Sequence, residues 1–178
     1  MCRNAERERW PIFVTPIMDI DPQNICSESF RAYPETVYLA RELVKSALAS
    51  WGLGAFEGDA VQIMSELASN AARLCEGRNI RVWTSRIDQG VEMCVWDDHP
   101  GRPVIQRPTL TGTSGRGLLL VQAYASGGCG WFELAAGKAV WARLAIDHAY
   151  MLDAARRAGS PITKPLRHVP RPSAHLHL

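Results

Sequence analysis

The order of hydrophobic patterns along this chain predicts an α+β fold, a two-layer α/β sandwich with a mixed, mostly antiparallel sheet backed by helices. Apolar residues recur at helical spacing over residues 35–51 and 58–75, and short strand-like runs follow them. Those runs form pairs separated by short turn sequences, which is the pattern of β-hairpins. No internal repeat interrupts this order, so we expect one sheet covered by one helical layer.

Two segments carry the spacing of amphipathic helices. The first covers Glu35–Trp51 and ends before Gly52, and the second runs from about Gly58 to Cys75 and ends before Gly77. Their expected buried stripes are Val37, Leu39, Ala40, Leu43, Val44, Ala47, Leu48 and Trp51 in the first, and Val61, Met64, Leu67, Ala68, Ala71 and either Leu74 or Cys75 in the second.

Five segments have the character of strands. They lie near Ser27–Tyr33, Asn79–Ile87, Val91–Trp96, Gly130–Ala135 and Lys138–Ile146. The tripeptide Asp88-Gln89-Gly90 predicts a hairpin turn between the second and third. A stretch rich in proline and glycine, from Asp97 to Ser114, predicts a long loop of the kind that often forms a lid, and a short apolar helix is expected from Gly117 to about Ala125.

The two ends of the chain differ in composition from its body. Residues 1–24 combine charges with three prolines and predict a loosely ordered arm, and residues 25–147 form the expected domain. Residues 148–178 predict a short helix, Ala149–Ala158, and then a disordered tail rich in proline, arginine and histidine. His175 and His177 could bind a metal there, although two histidines on a mobile tail make a weak site.

Bulk properties exclude several classes of protein. The formal net charge of +2 gives no reason to expect a nucleic acid or an acidic membrane surface as partner. The chain has no apolar run long enough to span a bilayer and no apolar signal core behind its charged N-terminus, so a cytoplasmic protein is expected. Its five cysteines include no C-x-x-C pair, which favours reduced thiols over disulfides or a zinc site.

Glu66 and Asn70 lie four residues apart in the second predicted helix, so both side chains project from one face. The amide oxygen of Asn70 is the hard kind of ligand that Mg²⁺ prefers, with water and phosphate at the other positions. The Glu66 carboxylate can accept the proton of an attacking hydroxyl or water. Polar residues at this spacing also occur on any solvated helix face, so the pair alone leaves both interpretations open.

Asp97 follows the apolar residues Val95 and Trp96 at a strand end, where side chains commonly line pockets. An ionised carboxylate there can accept hydrogen bonds from the amino group of adenine, and Gly101 would let a base approach the backbone closely. The alternative is a turn-initiating aspartate, because the residues from Asp97 to Gly101 are also typical of a turn.

The glycine-rich segment Gly112–Gly117 precedes the apolar run Leu118–Val121. Glycines at a helix start leave backbone N–H groups free to bind phosphate, and the positive end of the helix dipole favours an anion there. The segment is not a Walker A loop, because no Gly-Lys-Ser/Thr closes it, and no convincing strand precedes it as a dinucleotide-binding oxidoreductase would require. A flexible loop that enters a buried helix remains the alternative.

In this order and spacing, the motifs resemble those of the GHKL ATP-binding superfamily, and more closely those of the anti-sigma-factor serine kinases and their actinobacterial relatives. The resemblance covers residues 29–146 and is carried by Ser65–Ala71, Asp97–Gly101, Gly115–Val121 and Gly137–Ala142. The chain departs from the family pattern at three positions. His99 stands where a glycine is usual, Leu74 where a histidine is frequent, and Ala139 where a threonine is frequent.

The resemblance implies a Bergerat-type ATP-binding fold with ATP and Mg²⁺ as cofactors. It implies that Glu66 is the catalytic base, that Asn70 holds Mg²⁺, and that the nucleotide is bound by Asn70, Arg73, Asp97, Gly101, Ser114, Gly115, Arg116, Gly117 and Leu118. Arg116 is the candidate for stabilising charge near the γ-phosphate.

Two functions are compatible with this resemblance. The first is a serine/threonine protein kinase that sequesters a sigma factor, phosphorylates an antagonist protein and so controls transcription. The second is a non-catalytic, ATP-dependent protein-binding module, in which ATP orders residues 98–114. A homodimer through the helix Glu35–Trp51 is a further expectation, whereas direct contact with nucleic acid or membrane is not expected.

Overall fold

The computed structural model describes residues 21–103 and 117–147, and the structural statements below concern those residues. The helices are α1 (Val37–Ser50), α2 (Glu57–Leu74) and α3 (Gly117–Tyr124). The strands are β1 (Ile25–Arg31), β2 (Asn79–Ile87), β3 (Gly90–Asp97), β4 (Cys129–Glu133) and β5 (Lys138–Ala145). None of these helices is long and apolar enough to cross a membrane.

The five strands form one sheet in the order β1-β2-β3-β5-β4, and every neighbouring pair is antiparallel. The predicted α+β fold is confirmed, and the sheet is more regular than the mixed arrangement we expected. The reason is the connections: β2–β3 and β4–β5 are hairpins, which impose antiparallel pairing. The chain between β3 and β4 includes α3, and β5 then returns beside β3 in the opposite direction, pairing Asp97 with Lys138.

The three helices share one side of the sheet. Helix α1 packs against α2, and α2 packs against α3, β3 and β5. Leu48, Ile63 and Met64 are fully buried in this layer, and burying side chains of this size stabilises the fold by about 1.5–3 kcal/mol each. Of the two alternatives for the last position of the α2 stripe, Cys75 is buried, whereas Leu74 is 41% exposed.

The start of α1 differs from the prediction by two residues. Pro34–Thr36 form a 3₁₀ turn, and the α-helix begins at Val37. The Thr36 hydroxyl accepts a hydrogen bond from the Tyr33 backbone N–H and donates to the Arg31 carbonyl, which holds this turn against the end of β1. The predicted arm, the predicted helix Ala149–Ala158 and the tail lie outside the described residues, apart from a short 3₁₀ turn at Pro22–Asn24.

The turn between β4 and β5 packs against the end of β3. Gly137 has a φ of +79°, a left-handed conformation that side chains other than glycine adopt at a cost. A Cβ atom at Gly137 would also meet the backbone of Asp97 and lie 2.6 Å from the Asp98 Cα. Glycine at this position therefore lets the hairpin approach the strand end that carries Asp97.

We predict that Gly137→Ala destabilises the protein more than Gly128→Ala does. Gly128 has a similar φ of +90°, but a Cβ atom there meets nothing within 4 Å. The Gly128 variant should lose about 1–2 kcal/mol through backbone strain alone, and the Gly137 variant should lose more because its backbone neighbours must move. Urea denaturation of both variants measures the difference. Equal losses would contradict the close approach.

Candidate functional site

A cavity of about 220 Å³ lies between α2, the start of α3 and the adjoining ends of β3 and β5. The described residues that line it are Leu67, Asn70, Ala71, Arg73, Leu74, Val95, Asp97, His99, Arg102, Pro103, Gly117, Leu118, Lys138 and Val140. Its apolar walls come from all of these elements, whereas its polar groups gather at two places. One is the end of β3 beside β5, and the other is the face of α2 beside Gly117.

The first polar group is a buried ion pair. Lys138 is the first residue of β5, and strand pairing sets it directly opposite Asp97, the last residue of β3. The Lys138 Nζ atom lies 2.6 Å from Asp97 Oδ1, and the two side chains are only 4% and 3% exposed. Lys138 Nζ also donates to the His99 carbonyl at 3.0 Å. Burial of a charge is costly unless it is paired, and these contacts offset that cost.

Asp97 Oδ1 accepts two further hydrogen bonds. The donors are the His99 backbone N–H at 3.0 Å and the Cys75 thiol, whose Sγ lies 3.7 Å away. Burial, reinforced by the Asp97 charge, raises the pKa of the Cys75 thiol to about 11, so the thiol stays protonated at neutral pH and keeps its role as donor. No hydrogen bond to Asp97 Oδ2 is present among the described residues, which leaves that oxygen available as an acceptor.

The turn after Asp97 is held by His99. Its Nδ1 accepts a hydrogen bond from the Gly101 backbone N–H at 3.0 Å. A Cβ atom at Gly101 would lie 2.7 Å from the His99 ring. His99 lines the cavity and Gly101 does not, so the absence of a side chain at Gly101 makes room for the His99 ring.

The second polar group lies where α3 begins against α2. A Cβ atom on Gly117 would be 2.6 Å from Glu66 Oε2 and 3.3 Å from Asn70 Nδ2, so the helix start passes directly over both side chains. Glu66 Oε1 accepts a hydrogen bond from Gln62 Nε2 at 3.0 Å, and Asn70 Oδ1 accepts one from Arg73 Nη2 at 3.0 Å. Asn70 Nδ2 is buried with no hydrogen-bond partner in the described structure.

Of the seven predicted site residues that the structure describes, five line this cavity. Those that line it are Asn70, Arg73, Asp97, Gly117 and Leu118. Glu66 lies beside Gly117 at the edge of the lining, and Gly101 lies behind His99. Ser114, Gly115 and Arg116 lie outside the described residues. The roles assigned to all of these residues stay predictions.

Lys138 lies in the segment Gly137–Ala142 that carries part of the family resemblance, but the sequence predicts no role for its side chain. A lysine at a strand start usually faces water, so its burial depends on which strand lies beside it. The signal available in the sequence was indirect. If β5 pairs with β3, the last residue of β3 and the first residue of β5 meet, and their charges are opposite.

The family model described as a histidine kinase-like ATPase domain matches residues 30–127, which is more than half of the chain. The chain belongs to this family. A comparison with curated proteins finds no match to the chain. Histidine kinase-like ATPase domains of the GHKL type bind ATP, generally with Mg²⁺. The matched residues include α1, α2, β2, β3 and α3, and they end before β4 and β5.

The residues present fit an adenine nucleotide. The cavity contains the buried carboxylate of Asp97, which can accept a hydrogen bond from an amino group. It also contains the start of α3, which passes over Asn70, and the buried side-chain N–H₂ group of Asn70 has no hydrogen-bond partner in the described structure. Phosphate oxygens are acceptors that would satisfy such a donor. The described residues hold no cluster of three or more acidic, histidine or cysteine side chains that could bind a metal alone. A magnesium ion here would therefore depend on phosphate and water together with Asn70.

We predict that Asp97 and Lys138 are strongly coupled in folding. Asp97→Asn and Lys138→Met each leave one buried charge unpaired, and each should lower the free energy of unfolding by roughly 3–5 kcal/mol. The double variant removes both charges and should lose much less than the sum of the two single losses. Urea denaturation of the four proteins measures the coupling. Additive losses would contradict a direct interaction.

Proposed function

We propose that this chain binds ATP in the cavity and transfers the γ-phosphoryl group to a serine or threonine of an antagonist protein, as the anti-sigma-factor kinases it resembles do. The observation that carries the proposal is the position of Glu66, Asn70 and Gly117, which lie together at one end of a cavity whose other end holds Asp97. A base, a metal ligand and a helix start are the groups that phosphoryl transfer requires at one point.

At the base end, the amino group of adenine is suited to Asp97. Oδ1 already accepts from Lys138, His99 and Cys75, so the amino group would be bound by Oδ2. Leu67, Val95 and Val140 supply apolar surface beside it, against which the faces of the base can pack.

At the phosphate end, the backbone at the start of α3 and the Asn70 side chain would hold the phosphates. Mg²⁺, when bound to Asn70 Oδ1, would neutralise phosphate charge. Glu66 would accept the proton of the acceptor hydroxyl as its oxygen bonds to the γ-phosphorus and the bond to the bridging oxygen of ADP breaks. Arg116, outside the described residues, remains the candidate for stabilising charge on the γ-phosphate.

The alternative is a non-catalytic module that binds ATP and, once loaded, binds a partner protein. One observation favours it. One oxygen of Glu66 and the amide oxygen of Asn70 already accept hydrogen bonds from neighbours on the same helix, Gln62 and Arg73. A metal ion on the remaining lone pair of Asn70 Oδ1 would lie beside the Arg73 guanidinium, whose positive charge opposes it. A module that only binds ATP does not depend on a metal ion at that oxygen.

The proposed partners are a sigma factor, an antagonist protein, or both. Tyr38 on α1 is 52% exposed, and a large aromatic side chain of this kind is enriched at protein interfaces. It supports a partner face, or a homodimer contact, on the side of α1 that is turned away from the core.

We predict that the full chain binds Mg²⁺·ATP and that Gly117→Ala weakens this binding by at least about tenfold. The added methyl group would meet Glu66 Oε2 at 2.6 Å and must displace the side chains below it. Gly58→Ala is the matched control, because Gly58 lies in α2 and a Cβ atom there meets nothing within 4 Å. Isothermal titration calorimetry measures both. Failure of the wild-type chain to bind any nucleotide would refute the proposed function and its alternative together.

We predict that Glu66→Gln lowers phosphoryl transfer by roughly 10²–10⁴-fold while ATP affinity changes little, because the variant keeps the shape of the side chain but loses the base. The assay mixes γ-labelled ATP, Mg²⁺ and candidate antagonists encoded near the gene, and it detects labelled serine or threonine. Asp59→Asn, an exposed change in the first turn of α2, is the matched control.

Transfer that survives in Glu66→Gln would refute the role assigned to Glu66. A wild-type chain that binds ATP but labels none of the antagonists would favour the binding module over the kinase.

A further inference from the structure

Lys138 is a buried cation at the floor of the cavity, on a strand that lies beyond the residues matched by the family model. It is almost fully buried and belongs to the cavity lining together with Asp97 and His99. A lysine in such a place can act in two ways. It can serve only as the counter-charge of Asp97, or it can also contact whatever molecule fills the cavity.

The hydrogen bonds around Lys138 leave one donor unused. An ammonium group carries three N–H donors. One is given to Asp97 Oδ1 at 2.6 Å and one to the His99 carbonyl at 3.0 Å, and no further acceptor for Lys138 is present among the described residues. The Asp97 carboxylate beside it has an unused acceptor, because Oδ1 accepts three hydrogen bonds and Oδ2 accepts none from the described residues.

The floor of the cavity therefore offers one charged donor next to one charged acceptor. Adenine presents the matching pair, since its exocyclic amino group is a donor flanked on each side by a ring nitrogen that accepts. The geometry points to Lys138 as a specificity-determining residue that donates to the ring nitrogen adjacent to the amino group held by Asp97. This inference rests on the proposed binding of ATP, and it deepens that proposal by assigning direct readout of the base to a second side chain.

Analogues of ADP that lack single ring nitrogens test this contact. In 1-deaza-ADP and 7-deaza-ADP, one of the two nitrogens that flank the amino group is replaced by C–H, and in 3-deaza-ADP a nitrogen remote from that group is replaced. Binding of ADP and of these analogues to the full chain is measured by calorimetry. We expect one of the two flanking analogues to bind about tenfold more weakly than ADP, and 3-deaza-ADP to bind within about twofold, because a hydrogen bond from a charged donor is lost only in the former.

The Lys138→Met variant completes the comparison. Methionine keeps much of the length of the side chain without the ammonium group, so the analogue that binds weakly to the wild-type chain should lose its disadvantage relative to ADP in this variant. A residue that only neutralises Asp97 gives a different result, in which Lys138→Met weakens all four nucleotides by one common factor and the discrimination persists. That result would overturn the inference.

The wild-type chain alone also provides a decisive measurement, should Lys138→Met fail to fold. Equal binding of ADP, 1-deaza-ADP and 7-deaza-ADP would overturn the role of Lys138 while leaving ATP binding intact. If the wild-type chain does not bind ADP or ATP, the proposed function itself is overturned, and the two failures are thus distinguishable.

Discussion

The site depends on the buried contact between Asp97 and Lys138. A carboxylate and an ammonium group that are almost fully removed from water are tolerated only as a pair with further hydrogen bonds, and His99 and Cys75 supply those bonds. The pair fixes the relative position of the ends of β3 and β5. The pair also determines which acceptor the cavity floor offers to a ligand. The hydrogen bonds that Asp97 accepts from the described residues all go to Oδ1, so Asp97 Oδ2 is the oxygen that can bind a ligand.

A second constraint is the close approach of α3 to α2. Gly117 has no Cβ, and its backbone passes so close over Glu66 and Asn70 that a side chain here would displace the Glu66 carboxylate. The same contact brings a helix N-terminus, a carboxylate and an amide to one end of the cavity. A requirement of packing and a requirement of phosphate chemistry are thus met at one position.

Much of this architecture follows from local patterns. The bounds of β2 agree with the prediction. Most of the predicted apolar stripe of α2 is buried, although Val61 is only partly buried. The buried face of α2 also includes three residues outside the predicted stripe, Ala60, Ile63 and Ala72. The spacing of Glu66 and Asn70 was sufficient to predict that they share a face, and both are near Gly117 as a single site requires. By contrast, the burial of Lys138 is not encoded in a local period. It depends on β5 pairing with β3 in addition to its sequence neighbour β4, and such non-local pairing leaves no signature in a window of ten residues.

The sheet order has a further consequence for the two ends of the cavity. Strand β5 lies between β3 and the five-residue edge strand β4, and the turn that joins β4 to β5 precedes Lys138 directly. Edge hairpins open locally at a lower free energy than the core unfolds. Such an opening would admit water to Asp97 and remove its counter-charge, while the contact between α2 and α3 stayed closed. The base end of the pocket therefore depends on a hairpin at the edge of the sheet, whereas the phosphate end depends on the packing of α3 against α2.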